Sequence, residues 1–273
     1  GAPVLRRAAV AGGAVSHTPW PAPATHPRGG GGAGLVTEHG EVEAGTVVCA
    51  AGAWTSRLLR PLGVSLPVLW TRSSVARTTP VHPITPLGVW AKVAFRQRRD
   101  GSLNIALGGR TDCDITTDSL RWGRYFAPLY WQKRRAVTVR LGKPLWDDLR
   151  GHYTPGKSLT LDPAAHPARV AAALATLKAS FPHRADLQDA AITTTWAGYI
   201  DCTPDMVPVI DAPSTPGNLL IATGMSGHGF GLGPGVGKAV AEWIDRGTTT
   251  FDLTPFRLGR FAEPGPHRPR AVI

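Results

Sequence analysis

The sequence predicts a mixed fold that combines α/β with α+β features, and three observations indicate it. Two short apolar segments, at 45–49 and 218–222, are each followed by a turn of small residues and then by a helical pattern, as in α/β units. Residues 66–109 instead alternate extended segments with turns, which is typical of an antiparallel sheet. The chain has 273 residues, 42 % of them apolar, so it can form one large domain or two intertwined ones.

The N-terminal part predicts β structure around a loop. Four segments follow one another: a strand (4–10), a long mobile loop rich in Gly, Pro and His (12–34), a hairpin arm (35–43) and a buried strand (45–49). A sharp turn at 50–52 then leads to a short helix from Trp54. Pro61 and Gly63 are expected to end that helix.

The middle of the chain predicts a sheet and then a helix. Three segments have strand character: 68–79, 89–96 and 103–107. Residues 112–160 show no regular pattern. Asp162 and Pro163 resemble an N-cap and a first-turn proline, so a helix is expected from there to Pro182. Its apolar stripe would consist of Val170, Leu174, Leu177 and Phe181.

The last third predicts two strands, at 193–199 and 218–222. A glycine-rich turn is expected over 224–237, followed by a helix that runs to Arg246 with Gly247 as its C-terminal cap. The apolar face of this helix would be formed by Val236, Val240, Trp243 and Ile244.

Two glycine clusters deserve different interpretations. Gly29, Gly31 and Gly34 match G-x-G-x-x-G, but prolines precede them and a β-like segment follows, so we interpret them as a loop expansion. The cluster at 223–237 follows an apolar strand and opens a helix. Glycines there would let the backbone approach a flat ligand, and the helix N-terminus would favour an anionic ligand atom. On spacing alone, a purely structural turn is an equal alternative.

The net charge of +11 raises the question of nucleic-acid binding. The densest basic groups, at 96–99 and 133–135, are not accompanied by a zinc finger, a helix-turn-helix or an aromatic RNA-binding pattern. We therefore expect no nucleic-acid partner. A basic binding module that uses residues 28–34 as a tether stays an alternative, which salt-dependent DNA retention would test.

Cysteine usage and hydropathy indicate the compartment. Cys49, Cys113 and Cys202 are far apart and odd in number, which argues against a disulfide framework or a zinc site. We expect reduced thiols, no metal and a cytoplasmic protein. The sequence contains no run of about 18 apolar residues, so no membrane-spanning helix is expected. No secretory signal is evident either. The missing initiator Met suggests a processed product, a subunit or a truncated reading frame.

Four motifs together resemble the D-amino-acid oxidase, glycine oxidase and sarcosine oxidase superfamily of FAD-dependent enzymes. They are VVCAAGAW at 47–54, WAG at 196–198 with TPD at 203–205 and PVI at 208–210, SGHGF at 226–230, and LTPFR at 253–257. They occur in the family's order over nearly the whole chain. The resemblance implies oxidation of the C–N bond of an amine or amino acid by hydride transfer to flavin N5.

The resemblance also implies a p-hydroxybenzoate-hydroxylase-like architecture. Residues 1–60 and 196–273 would belong to an incomplete FAD-binding domain, and residues 61–195 to an antiparallel-sheet substrate domain. The family's opening strand with its dinucleotide fingerprint has no counterpart in this sequence. A separate FAD-binding chain is therefore a possible partner, and a catalytically inert fragment of such an enzyme is the alternative.

The resemblance also implies candidate FAD-binding residues, at the positions of this chain that match those of the family. They are Val10 at the adenine, Ala51, Gly52 and Trp54 near the ribityl and pyrophosphate, and Gly227, His228, Gly229, Phe230, Gly231 and Leu232 under the flavin ring. The attachment cysteine of sarcosine oxidases would fall at Gly198, so non-covalent FAD is expected.

The substrate residues are less well defined. Amino-acid oxidases of this family place a carboxylate-binding arginine where this chain has Ile200. Either the substrate lacks an α-carboxylate, or Arg72 or Arg110 replaces that arginine. Trp196 and Tyr199 would form walls of the substrate pocket, or else pack in the core. No catalytic residue is assigned, because hydride transfer need not require a dedicated base.

Overall fold

The computed structural model describes residues 2–17, 24–27, 33–155, 157 and 160–263. The helices, in chain order, are α1 (Ala2–Ala11), α2 (Thr55–Leu59), α3 (Thr117–Lys133), α4 (Lys143–Leu149), α5 (Pro167–Ser180), α6 (Ala185–Gln188) and α7 (Gly229–Arg246). The strands are β1 (Ala24–Pro27), β2 (Ala33–Thr37), β3 (Gly40–Val42), β4 (Val47–Cys49), β5 (Leu69–Pro80), β6 (Gly88–Val89), β7 (Val93–Gln97), β8 (Ser102–Leu107), β9 (Thr111–Asp114), β10 (Val137–Arg140), β11 (Ile192–Cys202), β12 (Val209–Asp211) and β13 (Leu219–Thr223).

The largest sheet has seven strands and is mostly antiparallel. Its order is β10-β9-β5-β8-β7-β6, and β11 pairs along the other side of β5. This pairing places Tyr199 opposite Arg72 and Trp196 opposite Val75. Helix α5 covers the sheet, because Val170 and Leu177 of its apolar stripe are buried in one cluster with strand residues such as Ile105.

A second sheet has the order β12-β13-β4, with β4 parallel to β13 and at the edge. Every residue of β13 is buried. One face contributes Leu219 and Ile221 to the main core with Val47, and the other packs Leu220 against Val240 of α7. This burial on both faces is expected of a strand inside an α/β layer.

A buried ion network joins α2 to α3 and α4. The guanidinium of Arg57 donates to Asp118 over 2.7 Å and to both oxygens of Asp148, and it lies 4.4 Å from the centre of the Trp70 ring. Arg57, Asp118 and Asp148 are all buried. The network therefore connects the α/β layer with the helices beside the large sheet.

The mixed fold class is confirmed, as are the strand after residue 45 and the long strand from 68. The loop predicted over 12–34 contains β1 and the start of β2. Gly29 and Gly31 lie outside the described residues, while Gly34 lies in β2. The proposed boundary between residues 195 and 196 falls within β11, which continues without interruption to Cys202.

Four further element predictions are wrong in part or whole. Residues 4–10 form helix α1 rather than a strand, because alanine, leucine and arginine favour a helix where no partner strand is present. The strand predicted over 89–96 is two strands, β6 and β7, which pair with each other around the intervening residues.

The other two errors concern helix starts. Helix α5 begins at Pro167, so the first-turn proline is Pro167 rather than Pro163, and the N-cap residue His166 makes no capping hydrogen bond through its side chain. Helix α7 begins at Gly229, so most of the expected glycine-rich turn is helical. Gly247 does cap α7, in the left-handed conformation.

Candidate functional site

A cleft of about 500 Å³ opens where the parallel strands β4 and β13 end and helix α7 begins. Ligands of open α/β sheets bind at this position, beyond the carboxyl ends of the strands. The lining is mostly apolar or glycine: Val48, Ala50, Gly52, Tyr199, Ile200, Asp201, Ala222, Thr223, Met225, Gly227, Gly229, Gly233, Val236, Gly237 and Val240.

Asp201, near the end of β11, holds the turn that follows β13. Its carboxylate accepts hydrogen bonds from the Gly224 backbone N–H over 2.6 Å and from the Thr223 hydroxyl over 3.0 Å. Its own backbone carbonyl accepts the N–H of Ser226 over 3.1 Å. One residue of the large sheet therefore fixes the turn that leads into α7.

The conformation of this turn requires a glycine at 224. Its φ is +71°, and a Cβ added there would lie 2.4 Å from the Cγ2 atom of Thr203. Ser226 is also left-handed, with φ 51°, which costs about 1–2 kcal/mol for a residue with a side chain. Its hydroxyl lies 3.1 Å from the carbonyl of Gly224, to which it donates, so that local hydrogen bonding offsets part of this cost.

Helix α7 begins beside the cleft and lines it along one face, from Gly229 to Val240. His228 is the N-cap residue and makes no capping hydrogen bond through its side chain. The helix dipole gives this end a partial positive charge, suited to an anionic ligand atom. Gly233 and Gly237 line the cleft with nothing within 4 Å of an added Cβ, so larger residues at these positions would project into open space.

Tyr199 connects the cleft to a buried charge pair. Its hydroxyl donates to Asp114 over 3.1 Å, and Arg72 donates to the other oxygen of Asp114 over 2.9 Å. Burial raises the pKa of Asp114, although Arg72 and Tyr199 favour its charged form. Burial and the neighbouring carboxylate raise the pKa of Tyr199 far above its ordinary value, so the phenol stays protonated and acts as the donor.

The predicted substrate residues are separated by this arrangement. Tyr199 lines the cleft and packs against Trp70, with 5.2 Å between the ring centres. Arg72 does not line it, because its guanidinium is held by Asp114 and by the carbonyl of Ala164. Trp196 is 41 % exposed and also lies outside the lining.

The predicted cofactor residues fall into three groups. Gly52, Gly227 and Gly229 line the cleft, and His228 stands between the last two at the start of α7. Ala51, Trp54, Phe230, Gly231 and Leu232 lie on the adjoining turn or helix without lining it, and Phe230 is 78 % exposed. Val10 lies in α1, whose residues are all exposed, and the structure does not bring it to the cleft.

Sequence reasoning missed Asp201 and the contribution of β4. Asp201 could have been noticed as a carboxylate at an otherwise apolar strand end. Its hydrogen-bond donors lie 22 and 23 residues further along the chain, so the local sequence does not show what it binds. Val48, the central residue of β4, was expected to be buried with its neighbours, whereas it is 39 % exposed and faces the cleft.

The thiols lie away from the cleft surface. Cys49, Cys113 and Cys202 are free and buried. Burial raises the pKa of Cys113 to about 11 and that of Cys202 to about 12, so both are protonated at neutral pH. In the part of the chain that the structure describes, no group of three His, Cys, Asp or Glu side chains could hold a metal. No helix found there is both long and apolar enough to cross a bilayer.

A family model described as FAD dependent oxidoreductase matches residues 2–243. The chain is 28 % identical over 249 residues to FAD-dependent oxidoreductase domain-containing protein 1 of Xenopus laevis, covering 86 % of this chain and 42 % of that protein. A shorter segment of 63 residues is 44 % identical to N-methyl-L-tryptophan oxidase of Salmonella arizonae, covering 23 % of this chain and 17 % of the relative.

Two solved structures are similar in fold. L-amino acid deaminase from Proteus myxofaciens superposes with a TM-score of 0.77 at 24 % identity, covering 87 % of this chain and 55 % of that one. Glycine oxidase from Geobacillus kaustophilus superposes with a TM-score of 0.61 at 23 % identity, covering 88 % and 52 %. The chain thus spans roughly half the length of these proteins.

Proposed function

Because the chain belongs to the family of FAD-dependent oxidoreductases, we propose that its cleft binds the flavin end of FAD and contributes to oxidation of the C–N bond of an amine or amino acid. Family membership confirms the resemblance found in the four motifs. The observation that carries the proposal is the glycine-lined cleft at the carboxyl ends of β4 and β13, directly before the N-terminus of α7.

The residues present fit a flat ring. Gly227, Gly233 and Gly237 let the backbone of the turn and helix form part of one wall, beside the side chains of Val236 and Val240. Val48 and Ala222 supply apolar surface from the two strands. Such a slot accepts the face of an aromatic ring system, since apolar area is buried while backbone N–H groups remain available at the edge.

Bound FAD supplies the two-electron acceptor for the substrate C–H bond. The chain's own residues would orient the ring and stabilise negative charge on it. The N-terminus of α7 would stabilise negative charge on a ring edge, and Asp201 keeps the turn in the conformation that presents those N–H groups. Tyr199 offers an aromatic surface beside the slot, held by Asp114 and Trp70.

We propose that the ADP half of FAD is held by another polypeptide segment, in a separate chain or elsewhere in a longer protein. Strand β4 is an edge strand, and the N-terminal half of α7 is largely exposed and rich in glycine. A further strand could pair with β4, as parallel α/β sheets are extended. The relatives, about twice as long, would accommodate such a segment.

Attachment of FAD is proposed to be non-covalent. Gly198 occupies the position of the attachment cysteine, and the three thiols are buried. Cys202 lies in an apolar cluster with Trp122 and Phe126. A thiol with a raised pKa and no access to the cleft is a poor nucleophile for flavin attachment.

The substrate is proposed to be an amine or amino acid that is recognised without an arginine clamp at residue 200. Ile200 lines the cleft there. Arg72 could serve a substrate carboxylate only by exchanging Asp114 for it, which requires breaking a buried ion pair. The relatives' named substrates, glycine, L-amino acids and N-methyl-L-tryptophan, are consistent with this broad class.

Riboflavin titration followed by flavin fluorescence tests the cleft, because riboflavin carries the ring without the ADP half. Gly233→Leu should lower the affinity at least about tenfold by filling the slot. Gly235→Leu is the matched control, since Gly235 lies in the same helix outside the lining and also has open space around it. Leucine favours a helix over glycine, so loss of binding would not reflect unfolding.

Equal affinities of the two variants would contradict the assignment of the cleft. Binding without any reduction of the flavin by amines or amino acids, even after the complementing segment is supplied, would support the inert-fragment alternative instead.

A further inference from the structure

Large apolar side chains are concentrated at the surface between residues 120 and 149. Seven of them are exposed by 42–78 %: Leu120, Tyr130, Trp131, Val139, Leu141, Trp146 and Leu149. They lie on or next to α3 and α4, outside the residues that line the cleft. A concentration of this kind on a folded protein usually marks a binding surface.

Helix α3 has two apolar faces with different roles. Trp122 and Phe126, four residues apart, are buried in a cluster with Leu69. Leu120 and Trp131, eleven residues apart, lie on one outer face, because eleven residues make almost three full turns. They are 75 % and 65 % exposed, so the core does not require them.

Basic residues are frequent in the segment that carries this outer face. Residues 117–150 contain eight arginines or lysines: Arg121, Arg124, Lys133, Arg134, Arg135, Arg140, Lys143 and Arg150. The three carboxylates of the segment, Asp118, Asp147 and Asp148, are buried and held in ion pairs. The exposed charge of the surface is therefore almost entirely positive.

Asp148 and Asp118 share Arg57, so the start of α3 lies beside α4. Trp146 and Leu149 of α4, both exposed, therefore lie close in the fold to the end of α3 that carries Leu120. Trp131 and the basic run 133–135 form its other end, where the Arg134 guanidinium donates to the Trp131 carbonyl.

We propose that this α3–α4 surface binds the face of an anionic lipid bilayer. A helix that presents leucine and tryptophan within a rim of arginine and lysine lies in the membrane interface, where the indole is favoured and the cations meet lipid headgroups. A second copy of the chain would bring like charges together. A nucleic acid would leave Leu120 and Leu149 without apolar contact. The surface is independent of the flavin cleft.

Sedimentation of the full chain with lipid vesicles tests this surface. The chain should bind vesicles that contain about one-third phosphatidylglycerol and bind pure phosphatidylcholine vesicles much less, with binding that weakens as salt is added. The double variant Leu120→Ser/Trp131→Ser should lower the partition coefficient by about tenfold or more. Arg134→Gln/Arg135→Gln should lower it roughly 25-fold, which is about fivefold for each charge.

The control is Leu87→Ser/Trp90→Ser, which removes two apolar side chains of equal exposure, 69 % each, from a different region. It should bind as the unmodified chain does. Vesicles with brominated lipid should quench the fluorescence of the unmodified chain more than that of Trp131→Phe. No binding to the anionic vesicles, or equal losses in the control and the α3 variants, would overturn the proposal. So would self-association that the Leu120→Ser/Trp131→Ser change abolishes.

Discussion

At the scale of single residues, Asp201 is the group on which the geometry of the cleft depends. It lies in the large sheet, yet it accepts three hydrogen bonds from the end of β13 and the turn that follows it. The donors are the Thr223 hydroxyl and the backbone N–H groups of Gly224 and Ser226. Hydrogen bonds from neutral donors to a carboxylate contribute more than neutral pairs do. Replacing it leaves the Gly224 N–H without an acceptor in a buried position.

Asp201→Ala should therefore lower the free energy of unfolding by about 1–3 kcal/mol and weaken riboflavin binding. Urea denaturation and flavin titration measure the two effects. Asp245→Ala removes a carboxylate from an exposed position on α7 and should change either quantity little. Loss of stability with unchanged flavin affinity would show that the turn does not shape the cleft.

At the scale of elements, the Arg57 network makes α2, α3 and α4 depend on the ionisation of buried carboxylates. Burial acts to raise the pKa of Asp148, but hydrogen bonds from Arg57 and Thr117 outweigh it, and the pKa lies below its ordinary value. The ionised form is thus favoured in the folded state. Its contribution to stability is complete above the ordinary carboxyl pKa of about 4 and is lost as the pH falls below that value.

The unmodified chain should therefore lose more stability than Asp148→Asn when the pH is lowered from 7 to about 3. Urea midpoints across this range measure the difference, and the two curves should approach each other as the pH falls below about 4. Asp245→Asn, at an exposed position, should keep the pH dependence of the unmodified chain. Parallel curves for Asp148→Asn and the unmodified chain would contradict the role of the network.

Elements also show what a sequence can and cannot predict here. The buried strand β13 and the long β5 are evident because their residues are apolar or β-branched and are bounded by turns. The start of α7 is not evident from the sequence, because five glycines and Pro234 lower its helical propensity. The segment is helical because Val236 and Val240 pack on β13. Helix α3 is obscured because apolar residues occupy both its buried and its exposed faces.

At the scale of the whole molecule, the small sheet ends at β4, and the proposed flavin slot lies beside that edge. The motifs indicate the two turns of the slot, since a strand followed by glycines is visible in the sequence. They do not indicate Asp201 or Val48, whose roles depend on which strands become neighbours. Contacts across 22 residues or more follow from topology rather than from local pattern.

The chain alone should bind FAD and riboflavin with affinities that agree within about threefold, because the ADP half would find no matching contacts. Equilibrium dialysis with each flavin measures the ratio. Adding the segment that completes the sheet should strengthen FAD binding and leave riboflavin binding nearly unchanged. If the chain alone preferred FAD over riboflavin by more than about a hundredfold, the chain itself would already bind the ADP half.

The three buried cysteines can report how often different parts of the fold open locally. Cys49 lies in β4 of the small sheet, whereas Cys113 in β9 and Cys202 at the end of β11 lie in the large sheet. The three thiols therefore report on both of these layers. A sheltered thiol reacts with an alkylating reagent only after its surroundings open. Labelling rates at each site, read by mass spectrometry, would rank the layers by how often they open. They would also show whether a flavin in the cleft slows the layer that contains Cys49 more than the other.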